Sequence, residues 1–469
     1  MKKLQITNYK LQILTALMFS MLFKINFAQT AKDTGKYSFS LKQCIDYALQ
    51  NQGSIKNVML DETVARDKVN EVAGMGYPQI NSTTQFSNND PSRRMFMVGT
   101  GSPSFLTGNK AIPAGEVAAF PNFFQLQSSG DAGVSISQLI FNSSYLVGLQ
   151  AAKTFKELSV KTTEQTKIQI IEGVTKAYYL VLINEERIKL FDTNISRLDS
   201  LLSQTKVMYQ NGFVEKIDVD RLQVSYNNMK TEKEKFDNLL LLGKFLLQYQ
   251  MSMPLESTLT ISEKISDFKV ENANVTTPQK SNYSNRIEYT LLQTTKKIQQ
   301  LDIKNLKLSY LPRISAFANL GFSSQNNKFD YFTKSNLWYN YGLYGINITL
   351  PIFDGLQNFY KTQQSKLKLK KIENDISTLE LSINLQMKSS EISFKNNLLS
   401  LETQSKNIEL ATEVARVTKE KYRQGVGSSL EVITAEAAFW EAQTNYFNSL
   451  YDALISKVDY DKAMGTLTK

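Results

Sequence analysis

Histidine is absent from the 469-residue chain. That absence removes Ser-His and Cys-His nucleophile pairs and histidine-ligated metals in one step. Cys44 is the only cysteine, so no internal disulfide can form. Its surroundings, SLKQC, lack the small and aliphatic residues of a lipidation site, and the thiol reads as a small buried apolar group. The carboxylates stand mostly among lysines on helical faces and form no catalytic constellation. No enzymatic activity, cofactor or metal is expected. After residue 28 no stretch reaches the ~20 apolar residues that a membrane helix needs. NLLLLGKFLLQY (238–249) is the longest candidate, and Lys244 breaks it. A membrane crossing by this chain must therefore use strands.

What is present begins with MKKLQITNYKLQILTALMFSMLFKINFAQT. Lys2, Lys3 and Lys10 make a basic start, Leu11 to Phe23 an apolar run, and Ala28 a cut site. This is the pattern of a secretory signal peptide over 1–28, leaving 29–469 as the exported chain. The whole chain carries a formal charge of +10. Losing Lys2, Lys3, Lys10 and Lys24 with no acidic residue leaves +6. The charges are interspersed and form no basic stripe, so nucleic acid is not an expected partner.

The chain repeats itself. YPQINSTTQFS (77–87) matches LPRISAFANLGFSS (311–324). SISQLIFNSS (135–144) matches NITLPIFDGL (347–356). YQNGFVEKIDVDRLQVSYNN (209–228) matches YRQGVGSSLEVITAEAAFWEAQTNY (422–446). The order is the same in both halves, about 40–253 and 285–466, with a linker over 254–284. Phe141 to Tyr209 is 68 residues and Phe353 to Tyr422 is 69. Pro78 to Phe141 is 63, but Pro312 to Phe353 is only 41. The slack lies in 89–130, whose Pro, Gly, Ser and Asn content predicts a long loop; its counterpart, 325–337, is short.

The near-constant stretch predicts a long helix. Val174, Val181, Ile188, Ile195, Leu202 and Tyr209 recur at every seventh position, with Phe191 and Leu198 beside them. About 65 residues at ~1.5 Å rise span roughly 100 Å. In the second half, 357–421, Ile376 and Ile383 give way to Leu385, Ile392 and Leu399, which predicts a register change and less regular packing. Shorter helices are expected over 41–74, 217–251, 285–310 and 429–464. By length, 217–251 could stack end to end with 285–310, and 429–464 with 41–74. The linker would then lie midway along the long helices.

The remaining pieces alternate apolar and small polar residues, as outer-membrane strands do. They cover about 78–88, 131–141, 312–324 and 338–353, with Phe317 out of pattern. Trp338, Tyr339, Tyr341 and Tyr344 cluster as an interfacial aromatic girdle would. Four strands cannot close a barrel, and lipid does not tolerate open edges. The chain must oligomerise, to eight strands as a dimer or twelve as a trimer.

At this point the sequence resembles the TolC-type outer-membrane factor family over most of 40–466. The C-terminal YRQGVGSSLEVITAEAAFWEAQTNYFNSLYDALISKVDYDKAMGTL is similar to the family's signature of Tyr-x-x-Gly, Leu-x-Val-Ile/Leu-x-Ala and a closing Ala-x-Gly-Thr-Leu. SLKQCIDYALQNQGSIKN resembles its Leu-x-x-Ala-Leu-x-x-Asn opening. The resemblance implies a mainly α fold with a small transmembrane β part. In it, a homotrimer joins a twelve-stranded barrel in outer-membrane lipid to a periplasmic α-barrel tunnel. A periplasmic adaptor and an inner-membrane pump of the RND, ABC or MFS type would join at the far end, making a passive exit duct for efflux or type I secretion.

Local chemistry fits these landmarks. Pro78 and Pro312 end helices at the membrane. Asn142 and Asp354, after Phe141 and Phe353, can cap the descending helices, with Pro351 fixing φ only at the second exit. Gly212 and Gly425 follow the long helices as C-terminal glycines do. By resemblance the adaptor would meet Gly212, Phe213 and Val214, and Gly425, Val426, Gly427 and Ser428. Glu409 and Glu413, one turn apart above the reversal, are candidate gate residues, beside Arg416 and Lys419. Two other classes stay open: a periplasmic adaptor or coiled-coil scaffold, which should carry a compact β-domain, and an outer-membrane adhesin or receptor using loop 89–130.

Overall fold

A computed structural model describes residues 35–89, 94–121, 126–265, 268, 283–331 and 337–468. The signal segment expected at 1–28 lies outside them, as does most of 266–282 in the linker.

The helices are α1 (Leu41–Asn51), α2 (Gly53–Gly74), α3 (Ser143–Gln210), α4 (Lys216–Met251), α5 (Ile287–Leu308), α6 (Gln357–Arg423) and α7 (Ser429–Met464). α3 starts where Asn142 accepts hydrogen bonds from the backbone N–H groups of Ser144 (2.9 Å) and Tyr145 (3.3 Å). No proline interrupts its 68 residues, so it runs on to the tip. Val174, Val181, Phe191, Leu198 and Leu202 of its heptad pattern are buried, while Tyr209 at the end is exposed. A straight helix drifts ~20° per heptad, which carries the seventh-residue series off the seam.

α6 has 67 residues and resolves the expected register change. Ile376, Ile383, Met387, Phe394, Ala415 and Tyr422 are buried within the protomer. Leu385, Ile392 and Leu399 are 69%, 60% and 63% exposed. These are two seams on different faces, one closed by the chain itself and one open.

Two other expectations need correction. The run over 41–74 breaks at Gln52, whose φ of −64° and ψ of 132° are extended. The break lets α1 turn Cys44 and Ala48 into the core midway along α3. The stacking partners are also exchanged. α2 and α4 both pack along α3, while α5 and α7 both pack along α6. The end of α7 meets the start of α5, where Arg286 donates to the Ala463 carbonyl at 3.0 Å. Length could not choose between pairings, because both give about one long helix.

The largest core sits at that level. Ile170, Val174, Tyr178, Val181, Leu182, Leu247 and Met251 pack with Cys44, Ala48, Ile55 and Leu259. A short parallel pair, β1 (Lys36–Phe39) with β6 (Thr258–Ile261), covers it. Neither strand was expected. Each has four residues, too few for a period-2 signal to emerge.

The main sheet is antiparallel with the order β2 (Gln79–Asn88), β5 (Ser128–Phe141), β7 (Arg313–Asn326), β8 (Tyr339–Thr349). The last strand was expected to reach 353 but stops at Thr349, two residues before Pro351, which has no N–H to extend a ladder. The segment 89–130 is not a plain loop. It holds a hairpin of β3 (Arg94–Val98) and β4 (Val117–Pro121). Its apolar runs, Met95–Val98 and Val117–Phe120, were masked by the Pro and Gly around them.

Candidate channel wall and tip

The β registers sort the sheet into two faces. Ile314, Ala316, Ala318, Leu320 and Phe322 on β7 pair with Ile348, Ile346, Tyr344, Gly342 and Asn340 on β8. On the other side they meet Phe141, Gln138, Ile136, Val134 and Ala132 of β5. Ile80 and Phe86 of β2 continue this apolar face. Gln79, Asn81, Thr83, Gln85, Ser135, Ser137, Asn319 and Asn347 lie on the opposite, polar face. Phe317, out of pattern in the sequence, lies on the polar face with its ring over Gly345, where an added Cβ would come within 3.1 Å. Ile140 falls in an irregularity between Leu139 and Phe141, so Phe141 takes the apolar-face place opposite Ile314.

The pleat divides the four clustered aromatics. Trp338 lies on the apolar face, 6.4 Å from Phe86 and 6.0 Å from Tyr331 between ring centroids. Tyr344 is on that face too, and 85% exposed. Tyr339 and Tyr341 are on the polar face. The Tyr341 ring lies over Gly133 and Gly321; a Cβ on either would come within 2.9 Å of its hydroxyl. A period-2 strand must split neighbours in sequence in this way.

The two strand-to-helix exits differ. Pro78 and Pro312 each stand directly before a strand, at the end of a helix turn. At the first exit β5 passes into α3 through the single residue Asn142. At the second, residues 350–356 intervene, with Phe353 exposed. Asp354 is not the N-cap of α6; Leu356 is, at φ +66°. Asp354 caps from further back, accepting from the Asn358 N–H at 3.0 Å. Pro351 thus marks a longer, irregular exit.

The tip turns share one hydrogen-bond pattern. After α3, Gly212 N–H donates to the Tyr209 carbonyl (3.0 Å) and Phe213 N–H to that of Met208 (2.9 Å). After α6, Gly425 donates to Tyr422 (3.0 Å) and Val426 to Lys421 (3.0 Å). These are paired Schellman closures, and they require positive φ, which is +79° at Gly212 and +75° at Gly425. They leave Phe213 and Val426 78% and 76% exposed, with Val214 and Gly427 half-buried. Ser428 caps α7 through Glu431 N–H at 3.2 Å. Ser429 donates to Asp218, and Leu201, Leu202, Leu222, Tyr422 and Val432 form a core beneath. Both turns are therefore fixed side by side on one platform.

Glu409 and Glu413 are exposed on α6. Glu413 is not free: Arg416 donates to both its oxygens at 2.8 Å and holds its pKa below the ordinary value. Among the described residues, no group of three His, Cys, Asp or Glu side chains is placed to hold a metal. Cys44 is buried and its thiol is pushed up to about 12, first by burial and then by the Glu263 charge. That is no nucleophile.

Glu263 is an anchor that the sequence did not signal. One of its oxygens accepts from the buried Tyr178 hydroxyl (2.8 Å) and from Leu41 N–H at the start of α1 (2.9 Å). Nearby, Lys462 and Lys176 donate to Glu172 at 2.7 and 2.9 Å, and Lys176 also reaches Asp459, tying α3 to α7. Burial acts to raise the Glu172 pKa and is the largest single influence. The two lysines together outweigh it and hold the carboxyl below 4.5. A depressed carboxylate stabilises the fold above its unfolded value, and the gain is lost as pH falls through the folded one. Glu172→Gln is expected to lower the melting temperature at pH 7. The gap to wild type should close as a melting series descends below the ordinary value of 4.5.

The family model described as outer membrane efflux protein matches residues 44–241 and 300–466. The outer membrane protein TolC of Vibrio cholerae is 18% identical over 339 residues, covering 72% of this chain and 77% of that one. The probable efflux pump outer membrane protein TtgC of Pseudomonas putida is 20% identical over 345 residues, covering 72% and 69%. The alkaline protease secretion protein AprF of Pseudomonas aeruginosa is 18% identical over 327, covering 68% and 66%. Among solved structures, the Vibrio cholerae outer membrane protein VceC superposes with a TM-score of 0.68 at 13% identity, covering 91% of this chain and 96% of that one. The CmeC outer membrane channel of Campylobacter jejuni gives 0.67 at 16%, covering 94% and 90%. The relatives are outer-membrane channels and not enzymes, and the family model spans well over half the sequence. The chain therefore belongs to the outer membrane efflux protein family, as a channel protein of the outer membrane.

Proposed function

We propose that three copies of this chain form a passive exit duct, with twelve strands closing one barrel in the outer membrane and the helices enclosing a tunnel in the periplasm. The observation that carries this is the four-stranded sheet. Its edge strands, β2 and β8, have no further partner among the described residues, and no helix or second sheet packs across either face. Lipid can meet the apolar face and water the polar one, but open edges must be paired. β8 of one copy against β2 of the next closes the ring. Strands of 10 to 14 residues are long enough to cross, since ~9–11 suffice when tilted. Trp338, Tyr344 and Phe86 then stand on the lipid side, where aromatic residues favour the interface.

The tip formed by Gly212, Phe213, Val214, Gly425, Val426, Gly427 and Ser428 is the surface we assign to a periplasmic adaptor, which would link the duct to an inner-membrane pump. Exposed Phe213 and Val426 are apolar anchors held by rigid turns, the arrangement that limits the entropy cost of binding. Glu409 and Glu413 would ring the tunnel above the tip. Relatives named for toluene, antibiotics and alkaline protease support small molecules or secreted proteins as cargo. A scaffold without a barrel fits poorly with a sheet on which neither face is packed by a helix or a second sheet. A receptor role has one supporting observation: the β3–β4 hairpin exposes Phe96, Val98, Phe105 and Val117. That role would add to the duct, not replace it.

The test is fractionation and unheated gel electrophoresis of the full chain. The expected result is an outer-membrane species migrating as a trimer that collapses on boiling to a monomer somewhat smaller than the 53.2 kDa of the unprocessed chain. A soluble periplasmic monomer would sink the proposal.

A further inference from the structure

The four strands of the main sheet contain 49 residues, and only two carry a formal charge: Asp131 and Arg313. Both lie on the polar face. Asp131 pairs with Gln85 and Ser323, near the loop end of the sheet. Arg313 pairs with Thr349, at the helix end. Ten residues of β7 separate their levels, about 34 Å along the strand at ~3.4 Å per residue. Neither side chain has an ion-pair partner among the described residues. Asp131 opens onto a hollow of about 210 Å³ in the wall, shared with Gln85, Asn319 and the Tyr341 hydroxyl. Gly133 and Gly321, adjacent across β5 and β7, let the Tyr341 ring lie close against the backbone, where it lines one side of the hollow.

We infer that Asp131 sets a cation preference at the outer mouth of the barrel, and that Arg313 opposes it at the periplasmic end. The inference rests on the trimeric reading above. Threefold repetition turns each side chain into a ring of three like charges. A twelve-stranded barrel has a radius of roughly 12 Å, from ~4.8 Å strand spacing and a tilt of ~40°. That is close to the ~10 Å Debye length at 0.1 M salt, so the rings act on the whole cross-section in dilute salt. The rest of the sheet contributes only neutral groups to the lumen, so nothing in it masks either ring. The hollow gives a cation a place to leave the axis and sit against the carboxylate, with neutral oxygens and amides around it. The partner is thus a small cation, or the cationic end of an exported molecule, held by charge and hydrogen bonds and not by metal ligation.

The experiment is reversal potential across planar bilayers holding the purified full-length protein, with hexamminecobalt(III) added to the loop side as a blocking probe. In a 10 to 100 mM KCl gradient, Asp131→Asn is expected to lower the potassium-to-chloride permeability ratio about threefold and to abolish loop-side block. Arg313→Gln should raise the ratio about twofold. Both differences should vanish near 1 M salt, where the screening length is ~3 Å. An Asp131→Asn channel that conducts as a trimer with the wild-type ratio and wild-type block overturns the inference and leaves the duct standing. Failure of the wild-type protein to form trimers or conduct overturns the duct, and this inference with it.

Discussion

Replacing Leu385, Ile392 and Leu399 of α6 together by Glu is expected to abolish trimers while leaving a folded protomer. The three are at heptad spacing and are 69%, 60% and 63% exposed in the single chain. α6 meets its own chain through another seam, which contains Ile383, Met387 and Phe394. The exposed seam therefore contributes nothing to protomer folding. Burying each side chain against a neighbouring copy would be worth about 2 kcal/mol, repeated in each subunit of the proposed trimer. Glu at these positions loses that gain and would also bury uncompensated charge. An apolar seam facing a water-filled tunnel would be the wrong way round, so an interface is the only face of the assembly it suits. Unheated electrophoresis and chemical cross-linking would report the change, with circular dichroism showing retained helix. Leu385→Met with Leu399→Met should leave trimers intact, since volume and polarity are conserved. Persistence of a wild-type trimer in the triple Glu variant would show that this seam is not the interface.

Gly425→Pro is expected to eliminate export while trimers still form. Gly425 sits at φ +75° and its N–H donates to Tyr422. Proline is confined to φ near −65° and has no N–H, so it can satisfy neither condition. The local cost is about 3 kcal/mol or more, against ~1–2 kcal/mol for Gly425→Ala, which need only tolerate the left-handed region. The damage falls on the turn, far from the sheet and from the equatorial core around Tyr178. Val426 would lose the geometry that holds it outward, and Ser428 its fixed place at the start of α7. Drug or protein export in cells would be the readout, alongside an unchanged trimer band. Wild-type export with Gly425→Pro would count against the tip as the adaptor surface. Gly425→Ala should give an intermediate loss.

Much of the fold was legible because it is periodic. The long helices announce themselves by a seventh-residue pattern that no proline interrupts, and Asn142 and the two tip glycines mark their ends by local chemistry. The strands show as alternation, and Phe317 was out of pattern for a reason the backbone supplies, since Gly345 lies under its ring. Other features had no local sign. Four-residue strands such as Lys36–Phe39 are too short to carry a period, and their partner is more than 200 residues away. Glu263 looked like any surface carboxylate, because only the folded chain brings Tyr178 and the Leu41 N–H to it. The tip residues could be placed by matching the two halves, yet the sequence did not reveal that Asp218 and Ser429 would join the turns.

By itself the sequence determined the things that depend on neighbours a few residues away: where the long helices and the four main strands run, how α3 starts and the long helices end, which residues of those strands share a face, and that four strands are too few to close a barrel. Tertiary structure alone decided which short helices stack, that α6 has one seam for its own chain and another left open, and that Tyr178 and the Leu41 N–H converge on Glu263. Periodicity specifies a face but not its partner. A heptad seam is the same in sequence whether its hole is supplied by the same chain or by a second copy, and only the positions of distant segments distinguish the two.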